Sequence, residues 1–203
     1  MRRCLTIFIT WTTLGVAILP KDALDRLIEG NRRYLSDELE HPSRTADRRE
    51  ATRAKQRPYA VIVGCSDSRV SPEVVFDEGI GDLFVVRVAG NVIGLLELES
   101  IEFAIHHLEA VFILILGHEN CGAVKAVVEG ETAGIKAIAR LIKPSFRKLD
   151  RKNFSLETAI EANALHMKEL LISSPKLKKL VKQKKIGIEA AYYHLDTGVV
   201  ELL

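Results

Sequence analysis

The sequence predicts an α/β fold: a mostly parallel β-sheet flanked by helices, with an antiparallel C-terminal edge hairpin and an N-terminal helical arm. Three observations predict it. Short apolar, β-branched runs near 59–64, 83–88 and 111–116 read as strands buried on both faces. Segments with helical spacing separate these runs, which implies parallel pairing with helices on both sides of the sheet. The chain then closes on Ile186 to Leu195, a turn at Asp196-Thr197-Gly198, and Val199 to Leu203, which reads as a hairpin.

In chain order, Pro20 to Ser36 reads as a helix. Proline is tolerated in a first turn, and Leu24, Leu27, Ile28 and Leu35 share one face. Residues 37 to 57 are polar and charge-rich with no period, so an exposed connection is expected there. After the first strand, Ser71-Pro72 opens a short helix to about Asp77. Gly79-Ile80-Gly81-Asp82 turns the chain into the second strand, which Ala89-Gly90-Asn91 breaks. Leu95 to Leu108 has helical spacing, and the third strand is followed, after Cys121, by a helix carrying Ala123, Val124, Val127 and Val128. Residues 133–149 and 155–172 read as two more helical segments, with Pro144 interrupting the first. Pro175 to Lys185 reads as a short cationic helix.

Composition removes several classes of function. With 203 residues, 47% apolar and 28% charged, the chain can bury a substantial core and is not a disordered tail. A net charge of +2 from 29 basic and 27 acidic groups creates no strong field for nucleic acid. The one basic cluster, Lys176, Lys178, Lys179, Lys182, Lys184 and Lys185, fits the wet face of a helix. Three cysteines cannot all pair, so no disulfide framework is expected. Cys4 is read as a small hydrophobe.

Residues 1–20 are set apart from a single domain at 21–203. Their basic start and apolar stretch resemble a secretory signal, yet they are short for a stable membrane span and carry Thr6, Thr10, Thr12 and Thr13. An export signal, an ordered arm and a misplaced start codon all fit them. A reducing compartment, or metal protection, would keep Cys65 and Cys121 as thiolates; the cytoplasm is the favoured location, and a working signal would instead make the protein exported or periplasmic.

Two strand ends carry the chemistry. Tyr59-Ala60-Val61-Ile62-Val63-Gly64 stops at Cys65-Ser66-Asp67-Ser68-Arg69, and Val111 to Leu116 stops at Gly117-His118-Glu119-Asn120-Cys121-Gly122. Open α/β sheets place their sites beyond the carboxyl ends of their strands. If these two strands are parallel neighbours, Cys65, His118 and Cys121 converge into a zinc shell with one position open. No fourth cysteine or histidine stands near Cys65, which suits a catalytic rather than a closed structural site. The competing reading is two core cysteines with a capping histidine. On an extended segment Asp67 and Arg69 would point the same way and form a bidentate pair. A carboxylate so held beside a metal can take a proton or hydrogen bond from water, while the plainer alternative is a loop-stabilising ion pair.

Cys65-Ser66-Asp67-Ser68-Arg69-Val70 with His118-x-x-Cys121-Gly122 resembles the β-class carbonic anhydrases. Glu29-Gly30-Asn31-Arg32-Arg33-Tyr34, Gln56-Arg57-Pro58, Gly81 to Arg87, Ala89-Gly90-Asn91 and Tyr192 to Gly198 extend the resemblance from about residue 21 to the end. It implies one zinc ion per chain held by Cys65, His118 and Cys121, and reversible hydration of carbon dioxide to bicarbonate and a proton by zinc-bound hydroxide. Asp67 would orient that hydroxide, or ligate the metal in a closed form, and Arg69 would draw Asp67 away as the site opens. Gln56, Phe84 and Gly122 match residues of the carbon dioxide cleft, which the family builds at a dimer interface, so self-association as a dimer or tetramer is expected. Val88, where relatives often have Asn, and Glu99-Ser100, in place of Gly-Ser, depart from the pattern away from the metal ligands. Two alternatives stay open here. One is a zinc hydrolase of a related linear molecule such as carbon disulfide, and the other a non-catalytic zinc- or thiol-responsive binding module.

Overall fold

The computed structural model describes residues 18–150 and 153–203. Most of the N-terminal apolar segment, Cys4 included, lies outside the described residues. Five strands form one sheet in the order β2-β1-β3-β4-β5. They are β1 (Ala60–Gly64), β2 (Leu83–Arg87), β3 (Phe112–His118), β4 (Gly187–Tyr193) and β5 (Val200–Leu202). β1 runs parallel to β2 and β3, β3 parallel to β4, and β5 returns antiparallel along β4. This is the mostly parallel sheet with an antiparallel edge that the sequence predicts.

The central strands are buried along their whole length because both faces are covered. Alternate residues project to opposite faces of a strand, and the core divides accordingly. Val61, Val63, Ile113, Ile115, Ile188 and Ala190 pack with Ile101, Val124, Ile142, Ile160 and Met167. These partners come from α4 (Leu95–His107), α5 (Gly122–Glu129), α6 (Lys136–Ile142) and α7 (Leu156–Ser173). On the opposite face, Ala60, Ile62, Phe112, Leu114 and Leu116 pack with Ala23 and Leu27 of α1 (Pro20–Leu35) and with Val75 and Phe76. A short α3 (Pro72–Val75) supplies Val75, and α8 (Pro175–Lys182) turns its lysines outward over a buried Leu177. Among the described residues no helix is long and apolar enough to cross a membrane.

α1 is locked against the sheet by shape and by charge. A Cβ at Gly30 would lie 1.9 Å from the Phe76 carbonyl oxygen, so only glycine lets the helix approach this closely. Beside it, buried Asn31 donates to the carbonyls of Val75 and Gly198 and accepts the Val200 N–H. Asp77 and Glu78 are also buried, and each carboxylate is met by an arginine of α1, Arg33 at 2.8 Å and Arg26 at 2.5 Å. Buried carboxylates need such partners, or the ionised form would be strongly disfavoured.

Two expectations are corrected. The supposed connection 37–57 contains α2 (Ala46–Thr52), whose N-terminus is capped by the Thr45 hydroxyl accepting the Arg48 N–H. No residue of α2 is buried, so it carries no apolar period to read. Arg48 ties it to the core by donating to Ile80 O and Asp82. The segment 133–149 is shorter as an α-helix than expected. α6 ends at Ile142 and continues as a 3-10 helix from Lys143 to Lys148, where Pro144 has no N–H to continue the α ladder.

Candidate metal centre

β1 and β3 are parallel neighbours with Gly64 opposite Leu116, so both chains leave the sheet at the same edge. Cys65 follows β1 directly, His118 is the last residue of β3, and Cys121 is the N-cap of α5. One donor atom from each lies within 4.8 Å of the others, and all three residues are buried. Among the described residues no other group of histidine, cysteine and carboxylate donors is gathered in this way.

Each donor is prepared by its surroundings. His118 Nδ1–H donates to the Glu119 carbonyl at 2.8 Å, which leaves Nε2 with its lone pair free, buried and, among the described residues, without a hydrogen-bond partner. A buried nitrogen left this way, facing two thiols, has the donor chemistry of a metal ligand and little purpose as a packing group. The Cys121 thiol close by, opposed by burial, then His118 and the N–H groups of Gly90 and Asp67, hold the Cys65 thiol well below its ordinary value. Cys121 is pushed up by the adjacent Cys65 sulfur and by burial, while the N–H groups of Ala123 and Val124 at the start of α5 oppose that rise. Metal ligation needs both thiols as thiolates, and their sulfurs already face one point with the His118 nitrogen. The three residues fit zinc.

Asp67 and Arg69 do pair, but through a turn rather than an extended run. The Val70 N–H closes that turn on the Asp67 carbonyl at 3.1 Å. Arg69 Nε and Nη2 donate to the two Asp67 carboxylate oxygens at 2.9 and 2.7 Å, and the Arg69 N–H adds a third contact at 3.0 Å. This holds the Asp67 carboxyl well below the usual carboxylate range, chiefly through the Arg69 guanidinium. Asp67 Oδ2 also lies 3.8 Å from His118 Nε2, at the rim of the donor cluster.

The three cleft residues expected from the sequence are not gathered within one chain. Gly122 stands beside Cys121 at the start of α5, exposed, and a Cβ there would meet none of the described residues within 4 Å. Phe84 is opposite Val61, roughly 13 Å before Cys65 at the rise of a strand. Gln56 precedes β1 and lines a surface hollow with Thr52, Phe103, His107 and Leu108, at the far end of the strand from the donors.

Two supporting residues were not singled out from the sequence. Arg87, at the end of β2, donates through Nε to the Cys65 carbonyl at 2.8 Å and through Nη2 to the Asp67 carbonyl at 2.6 Å. The Gly90 N–H donates to Cys65 Sγ at 3.3 Å. Both sit in a stretch whose apolar run reads as strand and whose Ala-Gly-Asn reads as a break. The contacts are made to backbone atoms or by them, which residue type does not announce.

The sequence profile of the family described as carbonic anhydrase matches residues 60–200. A carbonic anhydrase of Mycolicibacterium smegmatis is 39% identical over 193 residues, covering 90% of this chain and 93% of that protein. Carbonic anhydrase 2 of Mycobacterium tuberculosis is 36% identical over 187 residues, with 88% and 90% covered. Among solved structures, the β-carbonic anhydrase CcaA superposes with a TM-score of 0.71 at 25% identity, covering 87% of this chain and 86% of that one.

Proposed function

Because the chain belongs to the carbonic anhydrase family, in its β class, and is a zinc-dependent enzyme of carbon dioxide hydration, we propose the following division of labour among its residues. Cys65, His118 and Cys121 hold the zinc ion, one per chain. The observation that carries this assignment is the meeting of three buried donors with the free His118 Nε2 among them. When bound, the metal acts as a Lewis acid toward water, lowering its pKa to about 7 in carbonic anhydrases with three histidine ligands. Two thiolates donate more electron density than imidazoles, so neighbouring groups must compensate here.

Asp67 supplies that compensation. Its carboxylate stays ionised beside Arg69 and accepts a hydrogen bond or proton from the reacting water, aiming the water oxygen at the carbon of carbon dioxide. A carbon–oxygen bond forms, one carbon–oxygen π bond of the substrate opens, and bicarbonate and a proton leave. Arg69 keeps Asp67 charged and turned toward itself, which supports the open rather than the metal-ligating form of the site. Arg87 fixes the Cys65 and Asp67 carbonyls and so the loop that carries both side chains.

Solved β-carbonic anhydrases of this fold include tetrameric ones from Sordaria macrospora. Self-association, as a dimer or tetramer, is proposed for this chain too. If Gln56 belongs to the cleft, as the family resemblance implies, its position at the far end of β1 from its own Cys65 suits a cleft shared between two copies.

Stopped-flow hydration of carbon dioxide by purified protein of known zinc content tests the assignments. Cys65→Ser loses zinc and activity together, whereas Asp67→Asn keeps zinc and loses most of the turnover. A fully active Asp67→Asn enzyme removes Asp67 from the reaction.

A further inference from the structure

Asn163 lies in the middle of α7 on its buried stripe, among Ala159, Ile160, Ala164, Met167 and Leu171, and is fully shielded from solvent. Its Nδ2 donates to the Gly90 carbonyl at 2.8 Å, across 73 residues of chain. Its Oδ1 has no partner among the described residues, so packing alone gains little from burying an amide here.

The acceptor is an unusual residue. Gly90 has φ +74°, the left-handed region, and a Cβ there would press on Ile142 and Ala123 at 3.0 and 3.2 Å. The same residue turns its N–H onto Cys65 Sγ. A glycine in this conformation is free to rotate its two flanking peptides unless something fixes them. The Asn91 N–H holds one of them on the Val88 carbonyl at 2.8 Å, and α7 reaches the segment at two points one helical turn apart, through Asn163 at the Gly90 carbonyl and through Met167 Sδ, which accepts the Ile93 N–H at 3.2 Å.

We propose that Asn163 is a positioning residue for the metal centre, holding the Gly90 carbonyl so that the Gly90 N–H stays aimed at the Cys65 sulfur. The inference rests on the assignment of Cys65 as a zinc ligand and adds to it a residue on a helix that supplies no ligand. Groups that hydrogen-bond metal ligands orient them, and losing one typically weakens metal binding 10–100-fold.

The test uses the purified full chain and Asn163→Leu, each titrated with zinc against a chromophoric chelator and each loaded with cobalt(II). The leucine variant is expected to stay folded with a midpoint lowered by about 2–12 °C, because the buried Gly90 carbonyl loses its donor, to bind zinc about 10–100-fold more weakly, and to show a shifted cobalt–thiolate charge-transfer band. A folded variant with unchanged zinc affinity and an unchanged band overturns the positioning role and leaves the metal centre standing. An unmodified chain that takes up neither metal removes the centre, and the positioning role with it. If leucine is not tolerated, the unmodified chain loaded with cadmium-113 decides. Scalar coupling between the metal and the Gly90 amide proton, lost in Asn163→Ala, is the expected result. Its absence in the unmodified chain overturns the proposal.

Discussion

Arg87→Lys isolates the fork that holds the ligand-bearing loop. In the structure one guanidinium spans two carbonyls, those of Cys65 and Asp67, at 2.8 and 2.6 Å. Lysine keeps the charge but presents a single ammonium, which cannot reproduce a planar two-pronged contact. Asp67 O retains the Val70 N–H, so the Cys65 carbonyl is the one more exposed to loss. A buried acceptor deprived of its partner costs about 1–3 kcal/mol. In a chain of this size that corresponds to a fall of about 2–12 °C in thermal midpoint, at roughly 2–4 °C per kcal/mol. Because Cys65 moves with its own carbonyl, zinc affinity should fall as well, by about 10–100-fold. Differential scanning fluorimetry and chelator competition on the same sample measure both. A variant with unchanged midpoint and unchanged zinc affinity would refute the claim that Arg87 sets the loop.

Gly30→Ala places a methyl group 1.9 Å from the Phe76 carbonyl oxygen. Alanine gains about 1 kcal/mol in helix propensity, yet the forced shift costs more, and a net loss of about 1–3 kcal/mol is expected in urea denaturation. A stabilised variant would show that α1 does not pack as closely as described. Acid should weaken the same region through Asp77. Burial raises this carboxyl, but the Arg33 guanidinium and the N–H groups of Glu40 and His41 outweigh that effect and leave it below its ordinary value. Its contribution is therefore complete above the unfolded value of about 3.9 and lost as pH falls through the folded one. Unfolding midpoints measured between pH 5 and 3 should fall more steeply for the unmodified chain than for Asp77→Asn, and equal slopes would contradict the linkage.

What could be read from the sequence followed burial. β1 and β3 are apolar at nearly every position because both faces are covered, and that pattern exposed them and the chemistry at their ends. Cys65, His118 and Cys121 were legible as a set once parallel neighbouring strands were assumed, since strand ends are where such a sheet gathers side chains. α2 was not legible, as none of its seven residues is buried and it is held by Arg48 reaching out of it. The Asp67–Arg69 pair was expected for the wrong local reason: the chain turns there, and the Arg69 N–H joins the pairing. Arg87, Gly90 and Asn163 act through backbone carbonyls and amides 20 to 73 residues away, which no local pattern encodes. Gln56 and Phe84 came only from family resemblance, and within one chain they stand apart from the donors.

X-ray absorption at the zinc edge, on the unmodified chain whose hydration rate is measured in parallel, tests the metal centre most directly. Stoichiometric zinc with two sulfur neighbours at about 2.3 Å, a nitrogen neighbour at about 2.0–2.1 Å and rapid hydration is the predicted result. Zinc bound without sulfur, or active protein free of zinc, would contradict a centre built from Cys65, His118 and Cys121.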